Sequence, residues 1–199
     1  MMVGFTGNAT YRQLLETAVR LIAEHGCRNT TLQQIMQTTG LSKGAIYHYV
    51  KSKEELFGLV LTSQVEAIND SFQRAVEEQG NLTGPLAAIA DGLTKLQEKD
   101  SVVNQIIIYL LAQKDKSGVT ALLQQYHERA ATAAFSWIDM GQREGVINPK
   151  VDARKASEHF VMLSYGMCMR NMMMSEAGES SARSFEKEDF YNLMLQHLK

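Results

Sequence analysis

The chain has 199 residues, a formal net charge of −2 and two cysteines. That length supports one or two small domains with a real core, and the weakly acidic balance excludes an indiscriminate nucleic-acid coat. Cys27 and Cys168 form no Cys-x-x-Cys pair, the first ten residues do not read as a signal peptide, and no apolar run reaches membrane-spanning length. The sequence therefore reads as a reduced cytoplasmic protein with no membrane partner, its thiols buried as small hydrophobes.

The only prolines are Pro85 and Pro149, helix-forming residues run throughout, and strand-like alternation is absent. The predicted class is all-α. A first helix is predicted from Thr10 to His25, with Thr10 and Gln13 as a capping box and Gly26 closing it. Thr30 with Gln33 is a capping box for a second helix, on which Leu32, Ile35 and Met36 share one face. Gly40 stops that helix in the left-handed conformation, Leu41 turns inward, and Ser42 caps a short third helix from Lys43 to Tyr49. Ser52 and Glu55 open a fourth helix that starts at Lys53 and runs to about Gln79, stopped by Gly80-Asn81. A fifth helix begins at Pro85, a favoured first-turn residue, and ends near Lys99. Asp100 caps a sixth running to Gln113, and 114–118 is a loop. A long helix then carries Tyr126, Phe135 and Trp137 to about Glu144. Asp152 caps the next, which ends near Ser175-Glu176. A small polar linker over 177–184 precedes a last helix from Phe185 to Leu198.

Residues 30–56, TTLQQIMQTTGLSKGAIYHYVKSKEEL, are the informative segment. Helix, glycine-containing turn, helix is the helix-turn-helix signature, whose second helix enters the DNA major groove. At about 100° per residue, Ile46 and Val50 share the face that anchors to the core with Leu41. Gly44, Ala45 and His48 lie opposite, with Tyr47 and Tyr49 on the flanks. Small side chains suit close approach to a groove floor, and His48 can donate to a base edge. The tyrosine hydroxyls suit phosphate oxygens at the groove walls, and Lys43 and Lys53 bracket the helix to neutralise phosphates. Thr31, at a helix N-terminus, is placed for a phosphate. Each has a plainer alternative: Tyr47 as a half-buried core aromatic, His48 as a solvated surface histidine. Through Gly58 the chain has 6 basic and 4 acidic residues, whereas the remainder has 14 and 18, so the positive end coincides with this segment.

The stretch RQLLETAVRLIAEHG and the run GLSKGAIYHYVKSKEEL resemble the DNA-binding domain of the TetR family of bacterial transcriptional regulators, over residues 11 to about 57. Val50 stands where many members have Phe, Cys27 where an aromatic is common, and Met36 where Ala is common. The resemblance implies a three-helix DNA-binding domain over 1–52 and a helical effector-binding and dimerisation domain over 53–199. It implies DNA contacts from Lys43, Gly44, Ala45, Tyr47, His48, Tyr49, Lys53 and Thr31. It also implies a sensing region over 85–175 for a small apolar or amphipathic effector. Gln105, Tyr109, Tyr126, Trp137, Met140, His159, Met162 and Asn171 are its candidate lining, although ordinary core is the plainer reading of each. The adaptable methionines at 162, 167, 169, 172, 173 and 174 suit an irregular apolar partner.

Two apolar stripes mark the last helices: Ala156, Phe160, Leu163 and Met167 on one, Phe190, Leu193, Met194 and Leu198 on the other. Gly166 costs about 1 kcal/mol inside a helix, which close helix approach would offset. The stripes fit a monomeric core as well as an interface. The family resemblance favours pairing, with Phe160, Leu163, Gly166, Met167, Phe190, Leu193 and Met194 in a four-helix bundle between two copies. A homodimer on a palindromic operator, released by its effector, is the resulting expectation. The rivals are an enzyme and a protein-binding adaptor. No cofactor or metal is expected, since His25, His48, His127, His159 and His197 lack ligand spacing and no phosphate loop or nucleophile elbow is present.

Overall fold

The computed structural model describes residues 9–79, 83–95, 101–145, 147–174 and 187–198. Among them are nine helices and no strand. They are α1 (Ala9–Asn29), α2 (Leu32–Thr39), α3 (Lys43–Tyr47), α4 (Lys53–Gln79), α5 (Thr83–Lys95), α6 (Val102–Leu111), α7 (Val119–Arg143), α8 (Ala153–Met174) and α9 (Lys187–Leu198).

Several ends differ from expectation for local reasons. α1 already includes Ala9, so Thr10 lies inside the helix. Gln13, expected in a capping box, donates its side-chain amide to the Thr39 carbonyl at 3.2 Å. Gly26 breaks α1 with φ 74°, a conformation that suits glycine because it has no Cβ to clash. The next capping box sits one residue later than predicted, on Thr31 and Gln34. Thr30 is fully buried and its hydroxyl donates to the Gly26 carbonyl at 3.0 Å, so it is committed to the preceding turn. α3 ends at Tyr47 and not Tyr49. α5 starts at Thr83, which places Pro85 within its first turn, where a missing N–H costs nothing. α6 stops at Leu111, and residues 112–118 wind through turns to Gly118 at φ 84°. The expected stop at Gly80-Asn81, the Asp100 cap and the 177–184 linker lie outside the described residues.

The chain forms two compact units. One contains residues through Ser63 together with Val102–Tyr126, and in it α1 packs against α2 and α6. Leu14, Ile22, Ile35, Ile46, Leu56 and Phe57 are fully buried there. The other contains Gln64–Ser101 and His127–Lys199, with α9 packed on α5 and α8. Its core is built on Phe72, Trp137, Phe160 and Phe190. Phe72 and Trp137 lie 5.7 Å apart with their planes tilted by 35°, and the indole N–H donates to Asn69 Oδ1 at 3.0 Å, so the polar edge of the ring is satisfied where its body is buried. These are units of packing and do not coincide with a functional division at residue 52.

Candidate nucleic-acid interface

The turn between α2 and α3 is held by its own backbone. Gly40, at φ 70°, donates its N–H to the Met36 carbonyl at 2.9 Å, and the Leu41 N–H reaches the Thr39 hydroxyl at 3.2 Å. Ser42 is extended, and its hydroxyl accepts from the Ala45 N–H at 3.2 Å, which satisfies one of the orphan donors of a new helix. α3 is then anchored from one side. Ile46 is fully buried and Val50 is 1% exposed, so rotation of this short helix would expose both.

The opposite side faces out. Lys43, Gly44, Tyr47 and His48 are exposed, Tyr47 to 44%. The Lys43 ammonium sits 5.6 Å from the centre of the Tyr47 ring, and His48 meets Tyr49 edge-on at 5.1 Å. Ala45 is half-buried, and so is Tyr49, whose ring packs 5.6 Å from Tyr11 of α1. A Cβ built at Gly44 would meet nothing closer than the Ser42 hydroxyl at 4.0 Å. The fold itself thus has room for a side chain there, and its own packing does not account for the glycine. Thr31 is exposed at the head of α2, its hydroxyl and N–H both engaged with the Gln34 side chain at 3.0 and 2.8 Å.

Lys53 departs from the set. Its ammonium donates to the carbonyls of Cys27, Arg28 and Thr30 at 3.1, 3.1 and 3.2 Å, closing the C-terminal end of α1. An ammonium has three protons, and all three have partners. Burial lowers its pKa, the positive Lys116 adds to that, and neighbouring Glu54 opposes it. Replacement of Lys53 by Met is expected to lower stability by about 1–3 kcal/mol, the cost of leaving acceptors unpaired, measured by urea unfolding. The salt dependence of DNA binding should stay unchanged. A phosphate contact would instead reduce the log–log salt slope by about 1.

Beside it lies a cluster that sequence reading missed. Glu54 is 9% exposed and accepts from the Tyr109 hydroxyl and the Lys116 ammonium, both at 2.9 Å. Burial alone would raise the Glu54 pKa, but hydrogen bonds from Lys116, the backbone and Tyr109 outweigh it, and the carboxyl is held below its ordinary value. Burial and the adjacent carboxylate push the Tyr109 hydroxyl up, keeping it a neutral donor. Its ring also lies under Lys53 at 5.0 Å and edge-on to Phe57 at 5.5 Å. Tyr109, expected in an effector lining, is thereby bound to the first turn of α4. Partners 55 and 62 positions apart leave no local signal for this cluster.

The other expected lining residues are dispersed. Gln105 and Tyr126 belong with Tyr109 to the first unit, Tyr126 buried and Gln105 half-buried. Trp137 is part of the second unit's core and Met140 packs against it. Met162 is 55% exposed, and His159 is exposed beside His197. The Asn171 side chain lies outside the described residues, as do those of Met172 and Met174. The expected dimer residues divide as well. Phe160, Met167, Phe190 and Met194 are buried in the core of the second unit, Leu163 is half-buried, and Gly166 and Leu193 are exposed. Neither thiol is in a disulfide and both are buried; burial pushes Cys27 up to about 11 against the opposing charge of Lys53 and raises Cys168 as well, so neither is poised as a nucleophile. Among the described residues no helix is long and apolar enough to cross a membrane.

A capped, two-sided helix presented by a glycine turn is a helix-turn-helix, the motif whose second helix enters the DNA major groove. Residues 14–60 match the profile of the bacterial regulatory proteins of the tetR family. Over 46 residues, 23% of this chain and 24% of its own, the HTH-type transcriptional repressor AcnR of Corynebacterium diphtheriae is 44% identical. The nucleoid occlusion factor SlmA of Glaesserella parasuis is 24% identical over 179 residues, 89% of this chain and 87% of its own. The fold is shared with a TetR transcription regulator of Haloarcula marismortui at a TM-score of 0.66 and 21% identity, covering 95% and 96% of the two chains. Residues 14–60 thus carry a TetR-type helix-turn-helix segment, and the likeness to TetR-family regulators beyond it is one of fold.

Proposed function

We propose that this chain is a cytoplasmic repressor that reads a palindromic operator as a homodimer and leaves it when a small apolar or amphipathic effector binds. The observation that carries the reading of DNA is the two-sidedness of α3: Ile46 and Val50 locked inward, Lys43, Gly44, Tyr47 and His48 turned out. In this reading residues 1–52 contact operator DNA, with Thr31, Ala45 and Tyr49 assisting, and 53–199 sense and pair. Lys53 belongs to the structural support of α3 and not to the contact set. A five-residue helix offers few base contacts, so two copies on a two-fold axis supply the affinity one lacks, on half-sites roughly 34–36 Å apart or a multiple of that.

Pairing is supported by an uncovered apolar row. On α8 the exposed positions Met162, Gly166, Met169 and Met173 recur at spacings of four and three, and Leu193 is exposed on α9. Met173 is 74% exposed, an unusual condition for a large apolar side chain. No Cβ neighbour lies within 4 Å of Gly166, which leaves room for a second backbone. Effector release requires that the ligand bind the DNA-incompetent form more tightly than the competent one.

Selection of bound duplexes from a random pool, at fixed salt, tests the proposal. Recovery of an inverted repeat is the expected result. A single unsymmetrical site would refute the two-fold reading, and failure to enrich any sequence would refute the regulator reading and leave the helix-turn-helix as a protein-binding adaptor.

A further inference from the structure

We propose that His159 and His197 form a two-imidazole site for a borderline divalent transition-metal ion of the zinc, nickel or copper class. The residues are 38 positions apart, one on α8 and one in the last turn of α9, and the fold brings Nδ1 of His159 to 3.4 Å from Nε2 of His197. Two imidazole nitrogens bound at about 2.0–2.1 Å to a tetrahedral zinc stand about 3.3–3.4 Å from one another. The pair is therefore already at ligand spacing, whereas a hydrogen bond between the rings prefers about 2.7–3.2 Å. The rings meet edge-on, centroids 5.5 Å apart with 68° between their planes.

The surroundings suit an ion that arrives from solvent. Both histidines are exposed, so water can complete the coordination shell. His197 is braced by the edge of Phe160 at 5.8 Å, and the last turn of α9 is tied down where the Asn148 N–H donates to the Leu198 carbonyl at 3.1 Å. A ligand held in place before the metal arrives has less freedom to lose on binding. Among the described residues no three His, Cys, Asp or Glu side chains gather as a metal cluster. The described residues thus supply two positions, and the site they form is an open chelate. Bound metal would clip α8 to α9 and stabilise the second unit by mass action. The inference is independent of the reading of DNA, and its failure would leave that reading untouched.

The test is zinc chloride alone, titrated into the full chain against a chromogenic chelator, for the unaltered protein, His159→Gln, His197→Gln and the double variant. Gln keeps a polar side chain at two surface positions, so folding is preserved; circular dichroism checks it. Each single variant should weaken binding by about tenfold or more, because the second ligand acts at high effective concentration. The double variant should be no weaker than either single, the mark of one shared site. Zinc should raise the Tm followed by Trp137 fluorescence in the unaltered chain only. Equal zinc affinity in the unaltered and double-variant chains overturns the proposal, as does an unaltered chain that binds no zinc.

Discussion

Replacing Tyr47 and His48 together by Ala should erase most of the preference for operator over scrambled duplex while leaving the fold intact. A well-made base contact discriminates by about 1–3 kcal/mol, or roughly 5- to 150-fold. Loss of both side chains should move specific affinity toward the non-specific level, read by fluorescence anisotropy on the two duplexes at one salt concentration. The fold should survive because neither side chain anchors α3. That task falls to Ile46 and Val50, and the Ser42 hydroxyl keeps its bond to the Ala45 N–H. The substitution also removes the His48 edge on Tyr49 and the Lys43 charge over the Tyr47 ring, both at the surface. Equal weakening on both duplexes would reduce the two residues to phosphate contacts. No weakening on either would turn α3 toward a protein partner.

The largest expected stability effect lies in the second unit. Phe72→Ala should cost about 3–5 kcal/mol, the transfer term of a buried aromatic plus that of the cavity it leaves. Phe72 is fully buried, and its ring faces Trp137 at 5.7 Å. Trp137 is the single tryptophan of the chain, so its fluorescence reports unfolding of this unit specifically. Circular dichroism reports the whole, and with two units the transitions need not coincide. In the variant the indole keeps its bond to Asn69 but loses its aromatic neighbour, so its native emission should shift as well. Phe135→Ala on the same helix is the control. That ring is 36% exposed and lies against the Arg154 guanidinium at 5.7 Å, so its removal should cost under about 1 kcal/mol. Comparable losses in the two variants would contradict the core assignment.

The reading head was legible because its determinants are local. Gly40 and Ser42 act on residues within four positions, and the spacing of Ile46 and Val50 alone orients α3. Even there one hydroxyl misled: Thr30 and Thr31 are both sound caps on paper, and only the burial of Thr30 against Gly26 decides between them. The bonds of Lys53 to the C-terminal end of α1 were hidden because its partners lie 23 to 26 positions away, where a sequence shows merely a lysine at the start of a helix. On α8 the difficulty is different. Phe160 and Met167 share a seven-residue spacing with Met162 and Met169, so periodicity offers two apolar faces and no means of telling the inward one from the outward. His159 and His197 lie 38 positions apart, and no spacing rule connects them.

Gly44 carries a consequence for anyone improving this protein. Its empty Cβ position means that alanine fits without strain, and a helix gains as much as about 1 kcal/mol from that exchange. Selection for thermal robustness alone would therefore favour the extra methyl group on the surface offered to a groove. In the proposed reading of DNA the residue is a concession to something outside the chain, and a hardier protein made by filling it is expected to be a duller reader.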